Sequence, residues 1–495
     1  MAVLSKWARP GRGSALRTLV VLLGGAVASA TAQPASTTPV QLAASDTLRT
    51  LTPQACYELL LAHHPVVRQA GLLTQTARAE LQLARGAFDP KLESGLARKE
   101  FKGSEYYTTW DSHLKAPLWP GGLDLKAGYE RHTGPYLNPQ NRVPAGGLTY
   151  AGVGTSLAAV LGVDERRATL RQAQLYQEVA EAERQKLVNK VVSTALKTYW
   201  DWVEAARRRE LLRGATQLAA ERYQATAGRV LVGDLAAIDT LEAGLLLRER
   251  RVAQQQADLD TYQAALALST HLWGAQAQPL TLDPRAPAPT TLALPPMLTS
   301  AELSGRLMFV VERHPEVQKL LRKAEQLRLE ERLRRNELLP NLDVNYNFLN
   351  QGVGLEGAAA PWLTNSYKLG AQLSVPLLLR KERGKLQSVR IKQVYNDLDL
   401  LQVRRELTAV LQQAAAEQQT LERLLSQQRR MTEAYRQLRQ GEVEKFEAGE
   451  STVFLVNTRD SKLIEAELKQ VELEAKLQKA RIEVVAAGGA LDWQP

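Results

Sequence analysis

The sequence predicts a mainly α protein with a membrane β-barrel portion. It is built as two structural repeats that each run helix, strands, long helix, helix. Three observations carry this. The first is an internal echo. His64-Pro65 returns as His314-Pro315, 250 positions on, and Val67, Arg85, Pro90 and Leu92 return as Val317, Arg335, Pro340 and Leu342 at the same offset. A long period with matching local grammar marks a duplicated unit. The second is a pair of Pro-free stretches of about 65 residues with helical spacing. The third is a set of strands of about ten residues, apolar on one face and polar on the other, the pattern of a membrane barrel strand, with a soluble sheet packed on the helices by one face as the alternative.

Residues 1–32 read as a secretory signal peptide. Lys6, Arg9, Arg12 and Arg17 form a positive start, Leu19 to Ala28 is a short apolar core, and Ala30-Thr31-Ala32 offers a cleavage site before Gln33. No later apolar run approaches the ~18 residues of a membrane helix. Residues 33–50 are rich in Ser, Thr, Pro and Ala and read as a loose N-terminal segment.

Repeat 1 is expected over 51–276. Thr52 can cap a short helix opened by Pro53, and His64-Pro65 breaks it and starts a second over about 65–88. Strands follow over about 91–161. Tyr106, Thr108, Trp110, Ser112, Leu114, Ala116 and Leu118 share one face, and Asp111, His113 and Lys115 the other. Leu123, Leu125, Ala127 and Tyr129 alternate with Asp124, Lys126, Gly128 and Glu130. Long coiled-coil helices cover about 164–273. Ala173, Tyr176, Ala180, Leu187, Val191, Ala195, Thr198 and Trp202 recur mostly at three- or four-residue steps, and Val232-Gly233-Asp234 divides the segment.

Residues 277–298 hold six prolines and read as a linker. Repeat 2, 299–487, restarts the cycle with short helices over 299–313 and 316–338. Strands lie within about 341–379: Leu342, Val344, Tyr346 and Phe348 alternate with Asp343, Asn345 and Asn347, and Tyr367, Leu369, Ala371, Leu373 and Val375 with Lys368, Gly370, Gln372 and Ser374. Long helices run over about 384–446 and 451–487, parted at Gly449, and 488–495 form a tail. At ~1.5 Å per residue each long helix reaches roughly 100 Å, and in each repeat two shorter helices stacked end to end match it. A rod of that length suits a tube or a bridge.

Composition excludes several function classes. The chain carries a formal charge of +10, of which the leader contributes four positive residues. The remainder is mildly basic, and triplets such as Arg207-Arg208-Arg209 lie beside glutamates as solvated helix faces, so no nucleic-acid partner is expected. The single cysteine, Cys56, excludes an intrachain disulfide and reads as a buried structural thiol. The six histidines form no H-E-x-x-H pair, Gly152-Val153-Gly154 lacks the third glycine of a dinucleotide loop, and no Walker or G-x-S-x-G sequence is present. No enzyme activity, metal site or cofactor is expected.

The ordered set of landmarks resembles the TolC-like outer membrane efflux protein family along the whole mature length. It comprises the His-Pro and Pro-x-Leu pairs of both repeats, Asp164-Glu165-Arg166-Arg167, Ser374-Val375-Pro376-Leu377 and the glycine-centred tip turns. The resemblance implies a homotrimeric α/β barrel channel. Its strands share one barrel among the outer membrane lipid and its helices form a periplasmic tunnel. It implies a passive exit duct of a tripartite efflux or secretion system, with a periplasmic adaptor (membrane fusion) protein and an inner-membrane pump as partners.

The resemblance also implies a docking tip. Val232, Gly233 and Asp234 match the family's Val-Gly-Leu turn, with Asp239 as the acidic residue that follows. Gly449 closes the aromatic-x-x-Gly turn that starts at Phe446, and Glu450, Ser451 and Thr452 carry the chain onward. There are departures. Leu455-Val456-Asn457-Thr458 stand where constricted members carry Asp-Val-Leu-Asp, so Asp234 and Asp239 are candidates for the missing negative charge. Gln33 is not the lipidated cysteine of many relatives. Repeat 1 holds 32 more residues than repeat 2 between the proline and the long helix, read as an extra hairpin near 105–118 and 122–131. That hairpin either widens the barrel to six strands per chain or lies over its mouth.

A second reading is an exported coiled-coil structural or adaptor protein of the cell envelope. Its strands should form a compact β-domain without aromatic and aliphatic residues along one exposed face.

Overall fold

Thr52 accepts a hydrogen bond from the Ala55 N–H at 3.2 Å and opens α1, Pro53–His63. His64 then ends α1 and caps α2, Pro65–Gly86: its Nδ1 accepts from the Val66 N–H at 3.2 Å, and Pro65 fills the first turn, where no N–H is needed. The echo repeats the chemistry. His314 parts α5, Ser300–Arg313, from α6, Pro315–Asn336, and its Nδ1 accepts from the Glu316 N–H at the same 3.2 Å.

The computed structural model describes residues 47–118, 122–156, 160, 164–289, 300–352, 366–375 and 377–489, which lie in one unit, Ser45–Pro495. The expected signal peptide, residues 33–46, the linker from 290 to 299 and the tail from 490 fall outside the described residues.

The long helices are α3, Glu165–Leu231, of 67 residues, and α7, Arg380–Glu447, of 68. Each returns through a tip into a helix of half its length: α4, Ala237–Ser269, and α8, Val453–Ala487. α2 and α4 both pack along α3, and α6 and α8 both pack along α7, so each repeat sets one rod against two helices in line. α3 also packs on α6 and α8, which joins the repeats. The stripe from Ala173 to Trp202 is buried or half-buried throughout.

The largest core lies where α1, the middle of α3 and the end of α4 meet. Tyr199 and Trp202 are wholly enclosed there with Leu60, Leu268 and Leu272, and the Tyr199 hydroxyl donates to the Leu51 carbonyl at 3.0 Å. Burial of an aromatic of this size contributes roughly 4 kcal/mol before ordering entropy. The Trp202 Nε1–H has no acceptor among the described residues, which offsets about 1–3 kcal/mol of that gain. Cys56 is enclosed in the same core and its thiol is pushed up to about 12 by burial, as a structural thiol requires.

Two expectations change here. The segments read as loose or as linker pair with each other: β1, Thr47–Leu48, runs parallel to β6, Thr281–Leu282, and Leu280, Leu282 and Ala286 complete the core. A pairing two residues long has no period to read. The start of the tail is also docked, since the Asn189 amide donates to the Gly489 carbonyl at 3.3 Å. α4 ends four residues before the expected boundary because the chain turns into this patch.

The strands are β2, Lys91–Phe101; β3, Ser104–Pro117; β4, Leu123–Thr133; β5, Leu148–Ser156; β7, Asn341–Gln351; and β8, Tyr367–Ser374. They form one antiparallel meander in chain order. The hairpin particular to repeat 1, β3–β4, is therefore in the wall of the sheet. Its base pairs Pro117 with Asp124, and the neighbouring bases pair Leu123 with Thr155 and Ser156 with Asp343.

Candidate functional site

Cross-strand partners point to the same face, so the register sorts the sheet. Leu92, Leu114, Ala127, Ala151, Phe348 and Tyr367 line up across all six strands on one face. Leu96, Trp110, Leu125, Val153, Tyr346, Leu369 and Leu373 share it, and Trp110 and Tyr129 meet edge to face with centroids 5.7 Å apart. Lys91, Glu93, Asp111, His113, Lys115, Asp124, Lys126, Glu130, His132, Asp343 and Lys368 lie on the other.

The polar face is crowded. A Cβ on Gly128 would lie 2.5 Å from the Tyr150 ring, and Asn347 and Asn345 press equally close on Gly152 and Gly154. Crowding of this kind suits the concave side of a curved sheet. The apolar face is open: Leu92 is 74% exposed and Leu373 64%. No helix lies across either face among the described residues. Within the described residues the sheet is therefore not packed on the helices. No described helix is long and apolar enough to cross a membrane.

The two tips fold as the same motif. α3 ends at Leu231, Val232 follows as the cap, and Gly233 has φ +79°. The Gly233 N–H donates to the Val230 carbonyl at 3.0 Å and the Asp234 N–H to the Arg229 carbonyl at 2.9 Å. At the other tip Gly449 also has φ +79°. Its N–H donates to Phe446 at 3.1 Å, and that of Glu450 to Lys445 at 2.8 Å. This crossed pair closes a helix through a left-handed residue that glycine adopts without cost.

The next helices are capped differently. The Asp239 carboxylate accepts from the Ala236 N–H at 3.1 Å. The Thr452 hydroxyl accepts from the Leu455 N–H at 3.4 Å, and the Ser451 hydroxyl donates to Glu442 at 2.6 Å. Ser451 and then Arg459 hold the Glu442 carboxyl below its ordinary range.

The tips lie together. The Arg229 guanidinium stands 5.8 Å from the centroid of the Phe446 ring, and both line a cleft of about 240 Å³ with Leu235, Val443, Val453 and Val456. Around it Leu231, Val232, Ile238, Leu241 and Phe454 are exposed. All eight sequence-predicted residues thus fall on one end of the molecule. The Asp234 carboxylate takes Arg229 Nε at 2.9 Å, with both side chains about half exposed.

Sequence reasoning missed the ion cluster behind the tips. Asp460 of α8, 6% exposed, pairs with Arg222 of α3 and takes Arg439 Nε of α7 at 2.9 Å. Arg222 also donates to Asn457 at 3.3 Å. The signal was present: Asp460 interrupts an apolar stripe, four residues after Val456 and three before Leu463.

Long helix hairpins joined to a two-faced, uncovered sheet are the architecture that the described residues build. Residues 310–490, most of repeat 2, match the family of outer membrane efflux proteins. No curated protein matches the sequence significantly. Among solved structures the chain is similar to the open state of the Neisseria gonorrhoeae MtrE outer membrane channel, with TM-score 0.64, 13% identity, and coverage of 90% of this chain and 95% of that one. It is similar to the outer-membrane channel OprN with TM-score 0.63, 17% identity and coverage of 92% and 96%. The Campylobacter jejuni CmeC outer membrane channel gives TM-score 0.61, 14% identity and coverage of 90% and 89%. At these identities the likeness is one of fold.

Proposed function

We propose that three copies of this chain form a passive exit duct in the outer membrane, the outermost part of a tripartite efflux or secretion system. The observation that carries the reading is the sheet. Its apolar face is exposed, its polar face is crowded, and its two edge strands, β2 and β8, each have a neighbour on one side only. An open edge cannot stand in lipid. Six strands are also too few for an aqueous barrel, whereas three copies bring 18, within the roughly 16–18 that leave a water-filled channel. With six strands, β2 and β8 run in opposite directions, so one copy's β8 meets the next copy's β2 antiparallel.

The helices favour the same stoichiometry. Ile238, Leu245, Val252, Leu259 and Leu266 of α4 recur every seven residues and are all exposed in the single chain. On α7, Leu424, Met431 and Leu438 do the same. Such unpartnered heptad stripes suit a seam between neighbouring copies. The apolar tip around Gly233 and Gly449 then faces the periplasm as the surface for an adaptor protein, with an inner-membrane pump beyond it. The duct itself needs no catalysis, because the pump supplies the energy.

Purification in detergent tests the reading. A trimer that conducts ions in planar bilayers is the expected result. A protein that leaves membranes in high salt without detergent would overturn it.

A further inference from the structure

The β3–β4 hairpin, the part of the sheet that repeat 2 lacks, carries a cluster that the duct does not use. Asp111 and Glu130 stand directly opposite each other on neighbouring strands, on the polar face, and His132 lies two residues beyond Glu130 on that face. One ligand atom from each, two carboxylate oxygens and an imidazole nitrogen, all lie within 4.8 Å of one another. Like charges directly opposite in a sheet repel unless a cation stands between them. Among the described residues no Lys or Arg pairs with either carboxylate, and the Glu130 carboxylate makes no hydrogen bond.

The histidine is oriented. Its Nδ1 lies 2.8 Å from the Asn141 carbonyl, which can only accept, so Nδ1 carries the proton. Its Nε2 lies 2.9 Å from Asp111 Oδ1, and only 9% of the side chain is exposed. A lone pair on Nε2 aimed at a carboxylate oxygen is repulsive without a positive centre between them. A histidine whose second nitrogen donates to a backbone carbonyl is also the usual arrangement of a metal ligand.

We propose that Asp111, Glu130 and His132 bind a divalent transition-metal ion of the zinc type. One nitrogen and two oxygens supply three ligands of a tetrahedral site, with the fourth position open to water. Ligand atoms at ~2.0–2.1 Å from a shared zinc lie roughly 3.3 Å apart, so Nε2 and Oδ1 need to part by only a few tenths of an ångström. Asp111 is half exposed, which leaves an entry path. Through His132 and Asn141 the ion would fix the β4–β5 loop to the hairpin. The site belongs to a single chain and stands whether or not three chains close a barrel.

Calorimetric titration of Zn²⁺ into the full, untagged chain in detergent tests this, with Co²⁺ absorbance as a report on ligand type. The expected result is a single ion per chain, lost in Glu130→Gln and His132→Ala and kept in His113→Ala, whose imidazole pairs with Glu93 on the same face. Glu130→Gln keeps the test sound if His132→Ala misfolds, because the Glu130 carboxylate holds nothing else in place. Wild-type binding in Glu130→Gln would overturn the assignment. So would a wild-type chain that binds no ion, and a His132 ring found doubly protonated by NMR would then show that a proton fills the gap.

Discussion

Arg222 and Asp460, 238 positions apart in sequence, form an ion pair that ties α3 of the first hairpin to α8 of the second just behind the tips. Arg439 of α7 shares the carboxylate at 2.9 Å. Removing Asp460 leaves two guanidiniums facing each other with most of their surface out of water. Asp460→Ala is therefore expected to cost about 3 kcal/mol, the low end for breaking a buried pair. Arg222→Ala combined with it should cost less than the sum of the two. Urea midpoints give the energies, and limited proteolysis at the tips reports whether the hairpins part. Simple additivity would show that the pair is not coupled.

The tip glycines are required for their backbone angle and not for space. A Cβ on Gly233 or Gly449 would meet nothing within 4 Å, yet both residues sit at φ +79°. Replacement by valine is expected to cost at least the ~1–2 kcal/mol of a left-handed L residue and to reshape the tip. Export should fail while oligomer assembly and insertion persist. Asparagine tolerates this region better and should keep more activity. Equal loss in both variants would point to the added side chain and not to the backbone angle, and wild-type export with valine would remove the tips from docking.

The two His-Pro caps should make the helical part acid-labile. Burial, with His271 stacked 6.0 Å away, lowers the His64 pKa. Burial, opposed by Glu316 and aided by Lys186, lowers that of His314. A histidine whose folded pKa lies below its unfolded value contributes fully above the unfolded value, about 6.5, and loses stability as pH falls through it toward the folded pKa. Protonation also removes the Nδ1 acceptor for Val66 or Glu316 and sets a positive charge at a helix start. Melting temperature should fall as pH drops below about 6.5. His64→Asn with His314→Asn keeps an acceptor, has no proton to gain, and should flatten that slope.

How much of this was legible follows from the range of each interaction. The Thr52 cap was readable because it acts on an N–H three residues away, and His64-Pro65 was readable as a helix break, whereas the Nδ1 caps that His64 and His314 supply show only in the structure. The strand faces were readable because Leu114 and His113 differ at every step of a two-residue period. Helix boundaries shifted by a few residues where tertiary contacts decide them, as at Ser269. The long-range partners were invisible. Nothing near Thr47 announces Thr281, nothing near Arg222 announces Asp460, and the cluster at Asp111 exists only once β3 and β4 are in register. Asp234 and Asp239 were legible as residues, and the structure adds one local contact for each, to Arg229 and to the Ala236 N–H.

The heptad stripe on α4 separates a trimer from a monomer. Val252 is 67% exposed in the single chain, and Leu259 lies one heptad further along. A glutamate at either place costs a monomer almost nothing, since surface changes usually stay within ~0.5 kcal/mol. At a seam between copies the same change buries an unpaired charge in each of three interfaces and opposes assembly. Val252→Glu with Leu259→Glu should therefore leave the circular dichroism of the helices unchanged while the detergent-solubilised particle falls from trimer to monomer by light scattering. A trimer that survives both substitutions would place the seam elsewhere, and a wild-type monomer would remove the shared barrel altogether.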